Sequence, residues 1–126
     1  MQDQLEKQIE TAKKMRGSNR FPFEPTDEYK KNLERVEEKT ISIPTSEGDC
    51  KVYVFTSKKL ASQPPAHIYL HGGGFVIEHG ERDRLCAAKI AAETGGIVFD
   101  IDYKLSPENK FPVALYECYE ATKWIF

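Results

Sequence analysis

The stretch from Ala66 to Tyr103 constrains the fold more than any other part of the chain. Ala66 to Leu70 (AHIYL) reads as a short strand that runs straight into His71-Gly72-Gly73-Gly74. Glu81 to Thr94 carries Leu85, Ala88 and Ala92 at helical spacing and is stopped by Gly95-Gly96 as a C-terminal cap. Ile97 to Tyr103 (IVFDIDY) is a mainly apolar strand. A strand, a helix and a strand in this order imply two parallel strands joined by a crossover. The loop Leu105-Ser106-Pro107-Glu108 and a last helix opened by Pro112 extend the alternation. That helix is expected to bury Leu115, Tyr119, Thr122 and Phe126. The pattern predicts the α/β class, doubly wound, with about three parallel strands and an open apolar edge.

Ahead of this unit the period of the apolar residues changes twice. Asp3 to Arg16 has Leu5, Ile9 and Ala12 at helical spacing among charges and amides, a narrow amphipathic helix. Gly17 to Pro25 is a breaker in which Phe21 and Phe23 are expected to plug a groove. Thr26 then caps a second helix with Asp27 and Glu28 in its first turn and Tyr29, Leu33 and Val36 on its buried side. From Thr40 the period is two: Ile41 and Ile43 share one face, Ser46-Glu47-Gly48-Asp49 supplies turn chemistry, and Cys50 to Thr56 is rich in Val, Tyr and Phe, so an antiparallel pair is expected. The organisation is therefore residues 1–39, two helices, and 40–126, the α/β part. The chain stops inside its last helix on Lys123-Trp124-Ile125-Phe126, without a cap, and is expected to be the front part of a larger domain.

Composition narrows the function. With 18 Lys and Arg against 20 Asp and Glu in 126 residues, the net charge of -2 gives no electrostatic reason to expect a nucleic-acid partner. No run approaches the roughly 18 apolar residues of a membrane span, and residues 1–17 have acids and amides where a signal peptide has an apolar centre, so the cytoplasm is the expected compartment. Cys50, Cys86 and Cys118 are an odd set without a C-x-x-C and are expected as reduced thiols rather than a disulfide or zinc framework.

Three glycines at the carboxyl end of a parallel strand occupy the place where α/β sheets bind ligands. Without a Cβ, their N–H groups can face a substrate, and a pair of such donors can hold the oxyanion of an acyl-transfer intermediate. On their own they equally fit a turn with no chemistry. The full string His71-Gly72-Gly73-Gly74-Phe75-Val76 after a strand matches the HGGG-type oxyanion loop of lipases and esterases. A second string, Asp102-Tyr103-Lys104-Leu105-Ser106-Pro107-Glu108, is followed by Phe111-Pro112-Val113-Ala114.

Together these strings resemble the hormone-sensitive-lipase-like α/β-hydrolases, bacterial-type carboxylesterases or lipases, from about Ile41 to the C-terminus. The resemblance implies the first part of a mixed, mostly parallel hydrolase sheet with flanking helices, preceded by two cap-like helices. It assigns Gly72 and Gly73 as oxyanion donors, Gly74 as the source of backbone freedom and His71 as the residue that orients the loop. It implies a small-molecule ester as substrate and neither cofactor nor metal. The family's serine lies in a G-x-S-x-G elbow, followed by an acid and a histidine. None of Ser18, Ser42, Ser46, Ser57, Ser62 or Ser106 stands in that pattern, so the 126 residues alone are expected to be inactive.

The remaining candidates have plainer readings. His67 and His71 are about 13 Å apart on a strand, too far to share a metal ion. His79 is expected as a solvated loop histidine, the Asp102-Tyr103 pair as a structural anchor for the loop, Glu108 as a tie to neighbouring backbone, and Cys86 and Cys118 as small core residues. Two rivals stay open. A Rossmann-type nucleotide-binding fragment would use Gly72 and Gly74, but Ile77 stands where a third glycine is needed and the helix begins only near Glu81. A complete, non-catalytic protein that binds ligands in an acyl pocket is the other.

Overall fold

The computed structural model describes residues 1–17 and 23–126. Along the chain run α1 (Gln2–Met15), α2 (Asp27–Glu34), β1 (Val36–Thr45), β2 (Gly48–Ser57), β3 (Ala66–Leu70), α3 (Glu81–Thr94), β4 (Ile97–Asp102) and α4 (Val113–Ile125). The four strands form one mixed sheet in the order β1-β2-β4-β3. β1 with β2 and β2 with β4 are antiparallel, and β3 with β4 is parallel. Only two strands are parallel here, not three, because β2 turns back from the β1 hairpin and pairs directly with β4.

Alternation along the strands divides the core into two layers. On one face Phe55 and Val98 pack with Val36 against Ala87, Ala88, Ala91 and Ala92 of α3. On the other, Ile43, Cys50, Val52 and Ile101 meet Ala121 and the flanking Ala114, Cys118 and Ile125 of α4. Burying a side chain the size of Phe55, which has no exposure, contributes about 2 to 3 kcal/mol. Leu85, Ala88 and Ala92 are buried as the helical stripe predicts, and Gly95 closes α3 in the left-handed conformation, its N–H donating to Ala91 O. The Thr26 side chain caps α2 by accepting from Tyr29 N–H.

Three expectations are corrected. β1 begins at Val36 rather than Thr40, so Val36 is a buried strand residue and not part of the α2 stripe. Within α2 the buried side chain is Asn32, which donates to Glu28 O and accepts from Arg35. The buried side of α4 is Glu117 and Ala121, whereas Leu115, Tyr119 and Phe126 are more than half exposed. Small side chains let α4 lie close on the sheet. Glu117 is accepted there because both the backbone N–H and the ammonium of Lys104 donate to it, each at 2.9 Å. Phe23 does pack, edge to face on Tyr29 with the Arg82 guanidinium over its ring. Phe21 lies outside the described residues.

Candidate active site

Because β3 and β4 are parallel, the chain leaves both strands at the same end of the sheet, and the two following loops lie side by side. The first is the glycine loop and the second starts at Tyr103. Their contacts set three successive peptide planes. The Tyr103 hydroxyl donates to His71 O at 2.6 Å, His71 Nδ1 lies 2.8 Å from Gly72 O, and Gly73 O accepts from the N–H groups of Val76 and Ile77 at 3.1 and 3.0 Å. A carbonyl only accepts, so His71 Nδ1 carries a proton and donates it to Gly72 O.

In a trans peptide the C=O and the following N–H point in opposite directions. None of the three bonds from His71 to Gly74 is cis. Tying the carbonyls of His71, Gly72 and Gly73 to the protein therefore turns the N–H groups of Gly72, Gly73 and Gly74 away from those partners. All three glycines are exposed, and none of their N–H groups donates to a described residue. At Gly73, φ is +132° and an added Cβ would lie 2.7 Å from Ile77 Cβ, so this turn requires glycine. Phe75 continues the turn at a positive φ of 63°, held by Ser106 N–H donating to its carbonyl at 2.8 Å and by its ring tilting against Tyr103.

His71 is buried at 3% exposure with its ring stacked on Tyr103, 4.3 Å between centroids. Asp102 does not hold the glycine loop; it accepts from Tyr53 and pairs with Lys51. The loop anchor is thus Tyr103 without its neighbour. His79 corrects the expectation of a solvated residue: its side chain is 11% exposed and its Nε2 is 2.5 Å from Asp100 Oδ2, deep on the α3 face. Glu108 is tied by a side chain rather than by backbone. Arg16, at the end of α1, takes both its oxygens at 2.7 and 2.9 Å and donates to Val76 O and Ser106 O, clasping α1 to both loops. The Arg16 hydrogen bonds hold the Glu108 carboxyl well down, from 4.5 to about 2.

Arg16 and Glu117 carry no spacing signal. Asp100 alternates with Asp102 along its strand and shares the face of buried Val98, where a carboxylate needs a partner, but the sequence does not show that the partner is His79. Beside Val76 a groove of about 550 Å³ runs between α1 and the second loop, lined by Gln4, Gln8, Thr11, Ala12 and Pro107. Among the described residues no group of three His, Cys, Asp or Glu could hold a metal ion, and no helix is long and apolar enough to cross a membrane. The three cysteines are free.

Comparison with known proteins agrees with the resemblance. Residues 67–126 match the family described as alpha/beta hydrolase fold. A 3-O-acetylpapaveroxine carboxylesterase of Papaver somniferum is 34% identical over 112 residues, covering 83% of this chain and 33% of that protein. Hormone-sensitive lipase of Mus musculus is 42% identical over 57 residues, 45% of this chain and 8% of the lipase. The solved esterase of Pyrobaculum calidifontis superposes with a TM-score of 0.67 at 32% identity, over 77% of this chain and 32% of the esterase. The chain has the front part of the α/β-hydrolase fold and is similar to hormone-sensitive lipase and the carboxylesterases. It spans a third or less of the length of these relatives.

Proposed function

We infer that this segment supplies the oxyanion site of a serine carboxylic ester hydrolase. The observation that carries the reading is the run of three peptide planes whose carbonyls are tied inward and whose N–H groups, on three exposed glycines, donate to no described residue. When a serine oxygen adds to an ester carbonyl, negative charge develops on the carbonyl oxygen. Gly72 and Gly73 N–H groups, fixed before the substrate arrives, hold that charge without having to reorganise. Gly74 gives the turn its backbone freedom and His71 orients it. The alkoxide then leaves, and water releases the acid from the acyl-serine.

The serine of a G-x-S-x-G elbow, its acid and its base histidine belong to sequence outside residues 1–126, and the 126-residue chain is inactive on its own. The two helices within residues 1–39 form a cap over the core of 40–126, supported by the Arg16 clasp and the groove beneath α1, while Val36 onward already belongs to β1 of the core. The substrate is a small-molecule ester, no cofactor or metal takes part, and the protein acts in the cytoplasm. The nucleotide-binding rival is disfavoured because the α3 N-terminus is already occupied: Asp83 accepts from Gly80 N–H where a pyrophosphate would bind.

In a longer polypeptide carrying this segment and a G-x-S-x-G serine, Gly73→Val lowers kcat on p-nitrophenyl acetate by at least about a hundredfold, the scale of one lost donor. An unaltered kcat removes the loop from the reaction.

A further inference from the structure

His79 lies between the glycine turn and α3, and its ring joins the sheet to the loop. One face rests on Tyr53 of β2, centroids 4.7 Å apart; His71 meets the ring edge to face at 5.7 Å. Behind it Asp100 is wholly buried, with one oxygen on His79 Nε2 and the other, Oδ1, without a hydrogen-bond partner among the described residues. His71 Nε2 is likewise buried and unpartnered. With Nδ1 spent on Gly72 O, the His71 ring is therefore held by packing alone on its other edge, between Tyr103 and His79.

We propose that the His79–Asp100 pair is a positioning device for the oxyanion loop: while the His79 ring is protonated on both nitrogens and drawn onto the Asp100 carboxylate, it wedges the His71 ring against Tyr103 and so fixes the peptide plane that aims Gly73 N–H. This rests on the reading of Gly72 and Gly73 as oxyanion donors. His79 touches no reacting atom and acts through His71.

The surroundings favour the proton. Asp100 and Asp102 approach from β4 and Asp83 from α3, with Tyr53 on β2 and Lys51 beside it. A small cleft over the ring is lined by Glu38, Glu81 and Arg84, the arginine being paired with both acids. Burial pulls His79 down, but the hydrogen bond to Asp100 and the charges of Asp100, Asp83 and Asp102 outweigh it and hold His79 above its ordinary 6.5. Burial likewise lifts the Asp100 carboxyl above the usual range, against the pull of His79. The charge attraction that seats the ring is fully present below pH 6.5 and is lost as pH rises through the raised value, where the neutral ring keeps only its Nε2–H on Asp100.

The test is a nuclear magnetic resonance titration of the 126-residue chain over roughly pH 5 to 9, following the ring protons of His67, His71 and His79 and the Gly72 and Gly73 amides. The expected result is a His79 midpoint above 6.5 with both glycine amides shifting at that same midpoint. His79→Gln, which keeps a donor to Asp100, abolishes the glycine step while the α3 amides keep their positions, and Asp100→Asn lowers the His79 midpoint. Glycine amides that stay flat through the His79 transition overturn the proposal, as does a step that survives His79→Gln. Failure of the oxyanion reading looks different: kcat unaltered by Gly73→Val in the longer protein, with the linked step still present.

Discussion

Gly72–Gly74 and Gly95–Gly96 are both glycine runs at the end of a regular element, and the structure uses them in opposite ways. At Gly95–Gly96 the backbone is consumed by the fold. Gly95 N–H and Gly96 N–H both donate to Ala91 O, Gly95 O accepts from Ala61 and Gly96 O accepts from Ser57. A Cβ on Gly96 would lie 2.4 Å from Pro65 O. At Gly72–Gly74 the carbonyls of Gly72 and Gly73 are consumed but none of the three N–H groups donates to a described residue, and a Cβ on Gly72 or Gly74 would meet nothing within 4 Å. Glycines that serve packing show closed space and closed hydrogen bonds. Glycines that serve a ligand show open space and spare donors on a fixed frame.

Substitutions sharpen the contrast. Gly96→Ala forces a methyl group against the Pro65 carbonyl and costs about 3 kcal/mol in urea unfolding, the upper end of overpacking; a loss under about 0.5 kcal/mol would break the assignment of this cluster to packing. Tyr103→Phe strips the buried His71 carbonyl of its donor and costs about 1 to 2 kcal/mol by the same measurement. It also frees the plane that carries Gly72 N–H, so the Gly72 amide resonance moves while those of Gly95 and Gly96 stay. Gly72→Ala, at a position outside the left-handed region and with open space, changes stability by less than about 0.5 kcal/mol. A large loss there would mean that the open cluster is packed after all.

How far the sequence reaches depends on whether a feature is periodic. α3 and α4 were read by the same spacing, and only α3 buries the expected stripe. In α4 two stripes compete: the large Leu115, Tyr119 and Phe126, and the smaller Ala114, Cys118 and Ala121, which sit closer to the sheet. Apolar size alone points to the wrong one. The strand-helix-strand unit and the glycine loop were legible because the turn chemistry of adjacent residues defines them. The clasp of Arg16 on Glu108 joins positions 92 apart and the His79–Asp100 pair positions 21 apart, so neither leaves a local pattern. Tyr103 stands between these cases. Its role as an anchor could be read from its motif, but its acceptor, the carbonyl of His71, needed the parallel register of β3 and β4.

Amide hydrogen exchange on the folded 126-residue chain probes the left-over donors most directly. The account predicts that Gly72 and Gly73 exchange within about tenfold of an unstructured peptide, while Gly95 and Gly96 are protected by about a hundredfold or more. Protection at Gly72 and Gly73 equal to that at Gly96 would mean that their N–H groups are already bonded within the protein, and there would be no oxyanion site at this loop.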